Sequence, residues 1–250
     1  MTANTIDEVI TKLDDIIEIS KKEEDPLGYF AALYQNVTIT VKEKLHTGYF
    51  DNDERMEKLD VIFANRYLEA YSKLKQNKPI TQSWRKAFVS ANDWNLIVLQ
   101  HLLLGMNAHI SLDLGIAAAE MSNENSIDAL KSDFDKINDI LSSLIDEVQA
   151  DLASIWPTLF WILKKLKKVD DFIINFSMQL ARDDAWKFAK SLVGIDHTKK
   201  DDLINKRDIH VKKLSDKITS NSLFIRLIFK IIRIGERGKP SNKIMALERR

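Results

Sequence analysis

A chain of 250 residues with 45% apolar and 30% charged residues has an ordinary globular balance and enough length to bury a sizeable core. Seven glycines and four prolines are too few for turn-rich sheets and favour helices joined by few loops, while the lack of cysteine excludes disulfides, thiolate metal sites and a cysteine nucleophile. The formal net charge is zero, yet residues 196–250 hold fifteen Lys/Arg against seven Asp/Glu; attraction to the acidic remainder accounts for this without an anionic partner.

The chain opens without the basic and apolar regions of a signal peptide. No uncharged apolar run reaches the roughly 20 residues that span a bilayer. Together with the cysteine-free composition, this points to a cytoplasmic protein. Thr5, followed three residues later by Glu8, reads as a capping box that opens a first helix through about Lys22. Asp25-Pro26 restarts the chain, and a helix is expected from Leu27 to about Leu45, with Gly48 just beyond its stop. A third helix spans about Asp53 to Lys75 and is ended by the stretch through Pro79. A short helix at 83–90 leads into a long apolar one over about 93–121. Asn123–Ser126 reads as a loop, then comes an amphipathic helix at 127–152 and a break at Trp156-Pro157. Further helices are expected over 158–167, 170–193, 201–218 and 222–234. Gly235, Gly238 and Pro240 then loosen the chain, so 236–250 reads as a loose tail. The expected architecture is all-α, a single bundle-like domain of residues 1–250 built around the helix at 93–121.

That central helix is apolar on essentially all sides, so other helices must surround it and its polar groups need partners. His101, Gly105, His109 and Asp113 recur at every fourth residue and form one slowly drifting stripe. Gly105 costs the helix about 0.5–1 kcal/mol relative to Ala, so a closely packed helix or a ligand beside it is expected. Asn107 points to nearly the opposite side. His109 and Asp113, one turn apart, suit a shared Zn or Fe ion. His101 lies about 12 Å further along the axis, out of comfortable reach of the same ion. It suits proton transfer or substrate contact instead. Two ligands are too few. Asp60 and Asp133 sit on the apolar faces of their own helices and are the carboxylates whose angle allows them to join. Arg66 and Arg182, near the edges of apolar faces, could hold either carboxylate or an anionic substrate. A purely structural reading competes, in which buried His and Asp pair to lock helix register. No HExxH, nucleophile-elbow, P-loop or dinucleotide fingerprint appears.

Residues 222–235, SLFIRLIFKIIRIG, form an amphipathic segment in which Arg226, Lys230 and Arg233 share one stripe. At roughly 21 Å it is too short to span a bilayer. A core-packing helix with snorkelling basic residues is expected, with a membrane surface as the alternative partner. The tryptophans at 84, 94, 156, 161 and 186 lack the basic interleaving of a nucleic-acid platform, so no nucleic-acid partner is expected.

The runs VTITVKEKLHTGYFDNDERMEKLDVIFANRYLEAY and LQHLLLGMNAHISLDLGIAA, with Trp84 between them, resemble an uncharacterised bacterial domain-of-unknown-function family whose core reads HLLLGxNAHIxxDLG. SDFDKIN, ARDDAW and NKRDIHV are similar to its later blocks, so the likeness covers about residues 29–220 and leaves the basic C-terminal segment unmatched. The resemblance implies a helical fold and draws attention to His101, Asn107, His109, Asp113, Arg182 and Trp186. It implies no activity.

The expected function is a small-molecule enzyme with a buried His/Asp site, using hydrolytic or lyase-type chemistry that depends on a divalent Zn or Fe ion. In it His101, His109 and Asp113 are catalytic, and Asn107, Arg66, Arg182 and Trp186 contact substrate. His109, Asp113, Asp60 and Asp133 are the metal ligands. The alternative is a non-catalytic helical module that binds an apolar ligand or a protein partner, with the stripe serving as a structural polar network.

Overall fold

The computed structural model describes residues 2–122, 127–155, 178–219, 223–236 and 238–248. Among them are eleven α-helices and no strand, the all-α class that the scarcity of Gly and Pro implied. The helix expected over 158–167, the breaks at 123–126 and 156–157, and the first part of the helix expected over 170–193 lie outside the described residues.

Helix α1 (Ile6–Glu23) starts where the Thr5 hydroxyl accepts the Glu8 N–H at 3.2 Å, one half of the expected capping box, while the Glu8 carboxylate accepts the Asn4 N–H at 2.8 Å. After Pro26 comes α2 (Leu27–Lys44), and α3 (Asp53–Lys75) is capped by the Asn52 side chain. Helix α4 (Gln82–Val89) ends in a 3-10 turn, Ser90–Asn92. The central rod then begins at Val98, later than the apolar pattern implied, because the Asp93 carboxylate accepts both amides of Asn95 and holds a turn there. The rod comprises α5 (Val98–Ala108), a π-helical stretch His109–Asp113, and α6 (Leu114–Met121). A 3-10 turn at Ile127–Leu130 leads into α7 (Lys131–Ile155), and α8 (Met178–Leu192), α9 (His197–Thr219), α10 (Leu223–Gly235) and α11 (Pro240–Leu247) complete the order.

Two apolar cores meet along the rod. One gathers α1, α2, α4 and the far half of α3 against α5, with Phe229, Ile232, Ile244 and Leu247 from the C-terminal helices. The other gathers α7, α8 and the start of α3 against α6, and Val37, Phe63 and Met106 touch both. The π stretch falls at the join. Gly115 lets α8 approach closely, since a Cβ there would lie 2.8 Å from the Ala185 carbonyl oxygen. By length and composition the rod could cross a membrane, but 94% of its apolar window is buried in the protein, as a core helix should be.

The C-terminal stretch is not the loose tail that its Gly and Pro suggested. Pro240 sits in the first turn of α11, where a missing N–H costs nothing, and Ile244 and Leu247 are buried. The Asn36 side chain ties the helix end down through the Leu247 carbonyl at 2.8 Å.

Several helix starts are capped by carboxylates from distant helices. Asp208 on α9 accepts the Gln82 and Ser83 N–H groups of α4 at 2.7 and 2.9 Å, and the Ser83 hydroxyl at 2.7 Å. Glu236 accepts the Val98 N–H at 2.8 Å, where the preceding Ile97 offers no side-chain oxygen. Each carboxylate satisfies orphan donors at a positive dipole end, so much of the buried acid in this chain serves the fold.

Candidate functional site

The stripe read from the sequence divides into a sealed network and an open cavity. In the π stretch, the Leu114 N–H reaches back five residues to the His109 carbonyl. Such a widened turn perturbs the carbonyl ladder. The Ser111 carbonyl accepts Arg207 Nε at 2.7 Å, and Arg207 is itself anchored on Asp184 at 2.6 Å.

Asp113 is 1% exposed, and both its oxygens are occupied. Oδ1 accepts Arg66 Nε at 2.9 Å, and Oδ2 accepts Trp84 Nε1 at 2.7 Å with His109 Nδ1 at 3.4 Å. Burial pushes the carboxyl up, but Arg66, His109 and Trp84 outweigh it and hold it below the usual carboxylate range. Burial, reinforced by the Arg66 charge, keeps His109 neutral against the opposing pull of Asp113. The imidazole is caged by rings. Phe63 stacks on it at 3.6 Å, Tyr34 meets it edge-on at 4.5 Å, and Phe30, Tyr67 and Trp84 close the cage. With Nδ1–H directed at Asp113, Nε2 is left as a buried acceptor without a partner among the described residues.

The four expected metal ligands do not converge. Among the described residues no three His, Asp or Glu side chains come together to hold an ion. Asp133 is engaged at the start of α3, accepting the Asp51 and Asn52 N–H groups at 2.6 and 3.2 Å and Arg55 at 2.9 Å. Asp60 is buried with Oδ2 unpartnered among the described residues, and burial together with nearby Glu57 lifts its carboxyl to about 7. Its polar neighbour is Tyr34. Protonated below about pH 7 and with no two further His, Asp or Glu side chains grouped with it among the described residues, Asp60 is a poor ligand.

The expected substrate contacts are also redirected. Asn107 donates to the Val211 carbonyl and the Ser215 hydroxyl, both at 2.9 Å, and so joins α5 to α9. Arg182 donates to the Phe134 carbonyl at 2.7 Å and lies over the Phe134 ring, while Trp186 packs against that same ring. Both belong to the second core. Burial lowers Arg182 to about 10, a sign of how dry its setting is. Arg66 does hold a carboxylate, but it is Asp113.

The space beside Gly105 is filled by Phe30: a Cβ on Gly105 would come within 2.5 Å of its ring. Only a void of about 20 Å³ remains there, room for about one water.

His101, in contrast, borders a cavity of about 320 Å³. Tyr29 and Trp94 supply aromatic wall, with the Tyr29 ring edge-on to the imidazole at 5.7 Å. Arg233, Glu236 and Lys243 supply the polar end. Glu236 is saturated by the Val98 N–H, by Arg233 at 3.3 Å and by Lys243 at 3.0 Å. Arg233 donates a further bond to the Trp94 carbonyl at 2.7 Å. Arg233 and Lys243 thus share the buried Glu236 carboxylate, and Asp93 brings the charged lining to two cations and two carboxylates. Asp93, also in the wall, turns Oδ1 to Asn95. Burial, then Arg233 and Lys243, lower His101 to about 4 against the weaker pull of Asp93, so the imidazole is neutral at physiological pH.

Sequence spacing singled out His101 but missed Tyr29, Trp94, Arg233, Glu236 and Lys243. One signal was present: Glu236 is the only acid between Asp216 and Glu248, in an otherwise basic stretch.

No match to the chain was found among curated proteins or among solved structures. A family model matches residues 6–221, which takes in His101 and the whole His109 network but not Arg233, Glu236 or Lys243. The chain belongs to that family, a family of unknown function (DUF5995).

Proposed function

We propose that the protein binds a small organic anion with an apolar body in the cavity beside His101, and that the His109–Asp113–Arg66–Trp84 network is a structural lock. The observation that carries this reading is the separation of the two sites. A cavity of about 320 Å³, within the size range of small-molecule sites, is bordered by His101 and by neither His109 nor Asp113. Its aromatic side suits an apolar body. Arg233 and Lys243 in its wall, though offset by Glu236 and Asp93, are the donors that would meet a carboxylate or phosphate group. The neutral His101 can accept a hydrogen bond or a proton from the ligand. Metal-dependent hydrolysis or lyase chemistry at His109 has less support, because the expected ligands are dispersed and His109 is sealed among rings.

Native mass spectrometry with small aromatic and aliphatic carboxylates and their amides tests this reading. A carboxylate should be retained in preference to its amide, and His101→Trp, which fills the cavity, should retain neither. Equal retention by wild type and His101→Trp would remove the cavity as the site.

A further inference from the structure

Helix α10 turns an apolar side to solvent. Leu227, Ile231 and Ile234 are 58%, 54% and 69% exposed, and their spacing of four and three residues puts them on one face. Phe229 and Ile232 fill the opposite side and are buried in the first core. A surface helix ordinarily shows polar groups where this one shows aliphatic ones. Trp94, 59% exposed, borders the same helix: its carbonyl accepts Arg233 Nε, and the guanidinium lies 5.2 Å over its indole. Lys230 is exposed beside Ile231. Residues 223–250 hold eight Lys/Arg against two Asp/Glu, the most basic part of the chain.

We propose that this face rests on an anionic phospholipid surface. The thirteen residues of α10 reach about 20 Å, so the helix lies along the membrane rather than across it. Leu227, Ile231 and Ile234 enter the acyl boundary, Trp94 sits at headgroup depth, and the exposed Lys230 meets lipid phosphates. Charge decides the occupant. A second copy docked through the same face would bring two strongly basic segments together, because an isologous contact sets each patch against itself. An anionic bilayer offers both the apolar phase and the opposite charge.

Co-sedimentation of the full chain with phosphatidylcholine vesicles, with and without phosphatidylserine, tests the proposal. The wild type should pellet with the anionic vesicles, with apparent affinity about tenfold or more weaker for the neutral ones and falling as salt is raised. The triple variant Leu227→Ser, Ile231→Ser, Ile234→Ser alters only exposed side chains and should melt with the wild type while losing vesicle binding. Lys230→Glu should weaken binding to anionic vesicles alone. Equal binding to both vesicle types, or binding to neither, overturns the proposal. So does a dimer that the triple variant abolishes while vesicles leave the wild type in solution, since that assigns the face to a second copy.

Discussion

The Phe30 ring occupies the space that a side chain at Gly105 would take, with its Cγ and Cδ2 2.5 Å from where that Cβ would stand. The ring also stands edge-on to His109 at 5.7 Å and to Trp84 at 5.7 Å, so the glycine sets the approach of α2 to the rod and with it one wall of the imidazole cage. Because Cγ lies close to the Phe30 backbone, the ring cannot swing clear of an added methyl. Gly105→Ala should therefore destabilise the protein by about 1–3 kcal/mol, despite the better helix propensity of Ala. In a Phe30→Ala background, which removes Cγ, the added cost of Gly105→Ala should shrink. Chemical denaturation of the single and double variants measures both, and a stabilised Gly105→Ala would refute the close-packing account.

A structural His109 makes its ring shape matter more than its nitrogens. His109→Phe keeps an aromatic plane against Phe63, leaves Asp113 with Arg66 and Trp84, and removes the unpartnered Nε2. It should lie within about 1–2 kcal/mol of wild type, whereas His109→Ala, which empties the cage, should cost about 3 kcal/mol or more. Thermal unfolding of the two variants decides the matter; equal losses would show that the nitrogens carry the role.

Asp113 joins the rod to α3 through Arg66 and to α4 through Trp84. Asp113→Ala leaves the Arg66 guanidinium with only the more distant Glu120 at 3.7 Å and strands a buried indole N–H, at a cost of about 2–3 kcal/mol. Pairing it with Arg66→Met should restore part of the loss, because the guanidinium left without its buried partner is gone. A double-mutant cycle reads the coupling, and strict additivity would contradict the network.

Asp60 makes the stability depend on pH in an unusual direction. An unfolded Asp releases its proton near the ordinary value of 3.8, while burial and Glu57 keep the folded carboxyl protonated to about 7. Between these values the folded state holds the extra proton, so this residue's contribution falls as pH rises and the loss is complete above about 7. Asp60→Asn should therefore be more stable than wild type by on the order of 3 kcal/mol near neutral pH and above, with the gap closing toward the lower value. Urea titrations of both proteins across that window test it; a gap that does not change with pH would show that Asp60 does not titrate there.

The helical class was legible because few Gly and Pro residues interrupt long periodic runs, and the Thr5 cap and the Pro26 restart are local signals. The His101–Gly105–His109–Asp113 stripe was legible for the same reason, since helical spacing fixes which residues share a face. Partners across helices were not. Asp60 and Asp133 both lie on apolar faces, yet one keeps Oδ2 unpartnered among the described residues and the other serves the start of α3, a difference that depends on tertiary approach. The ordered α11 escaped notice because Gly238 and Pro240, read as loosening the chain, instead frame a helix start. The cavity escaped because its walls join the start of α2 to the start of α11, and no periodicity links Tyr29 or Trp94 to Lys243.

The separation of a sealed lock from an open binding site is tested most directly by measuring carboxylate retention in His109→Phe and His101→Trp side by side, by native mass spectrometry under identical conditions. The account predicts that His109→Phe retains the ligand as wild type does and that His101→Trp loses it. Loss in His109→Phe with retention in His101→Trp would place the site in the aromatic cage and contradict the account.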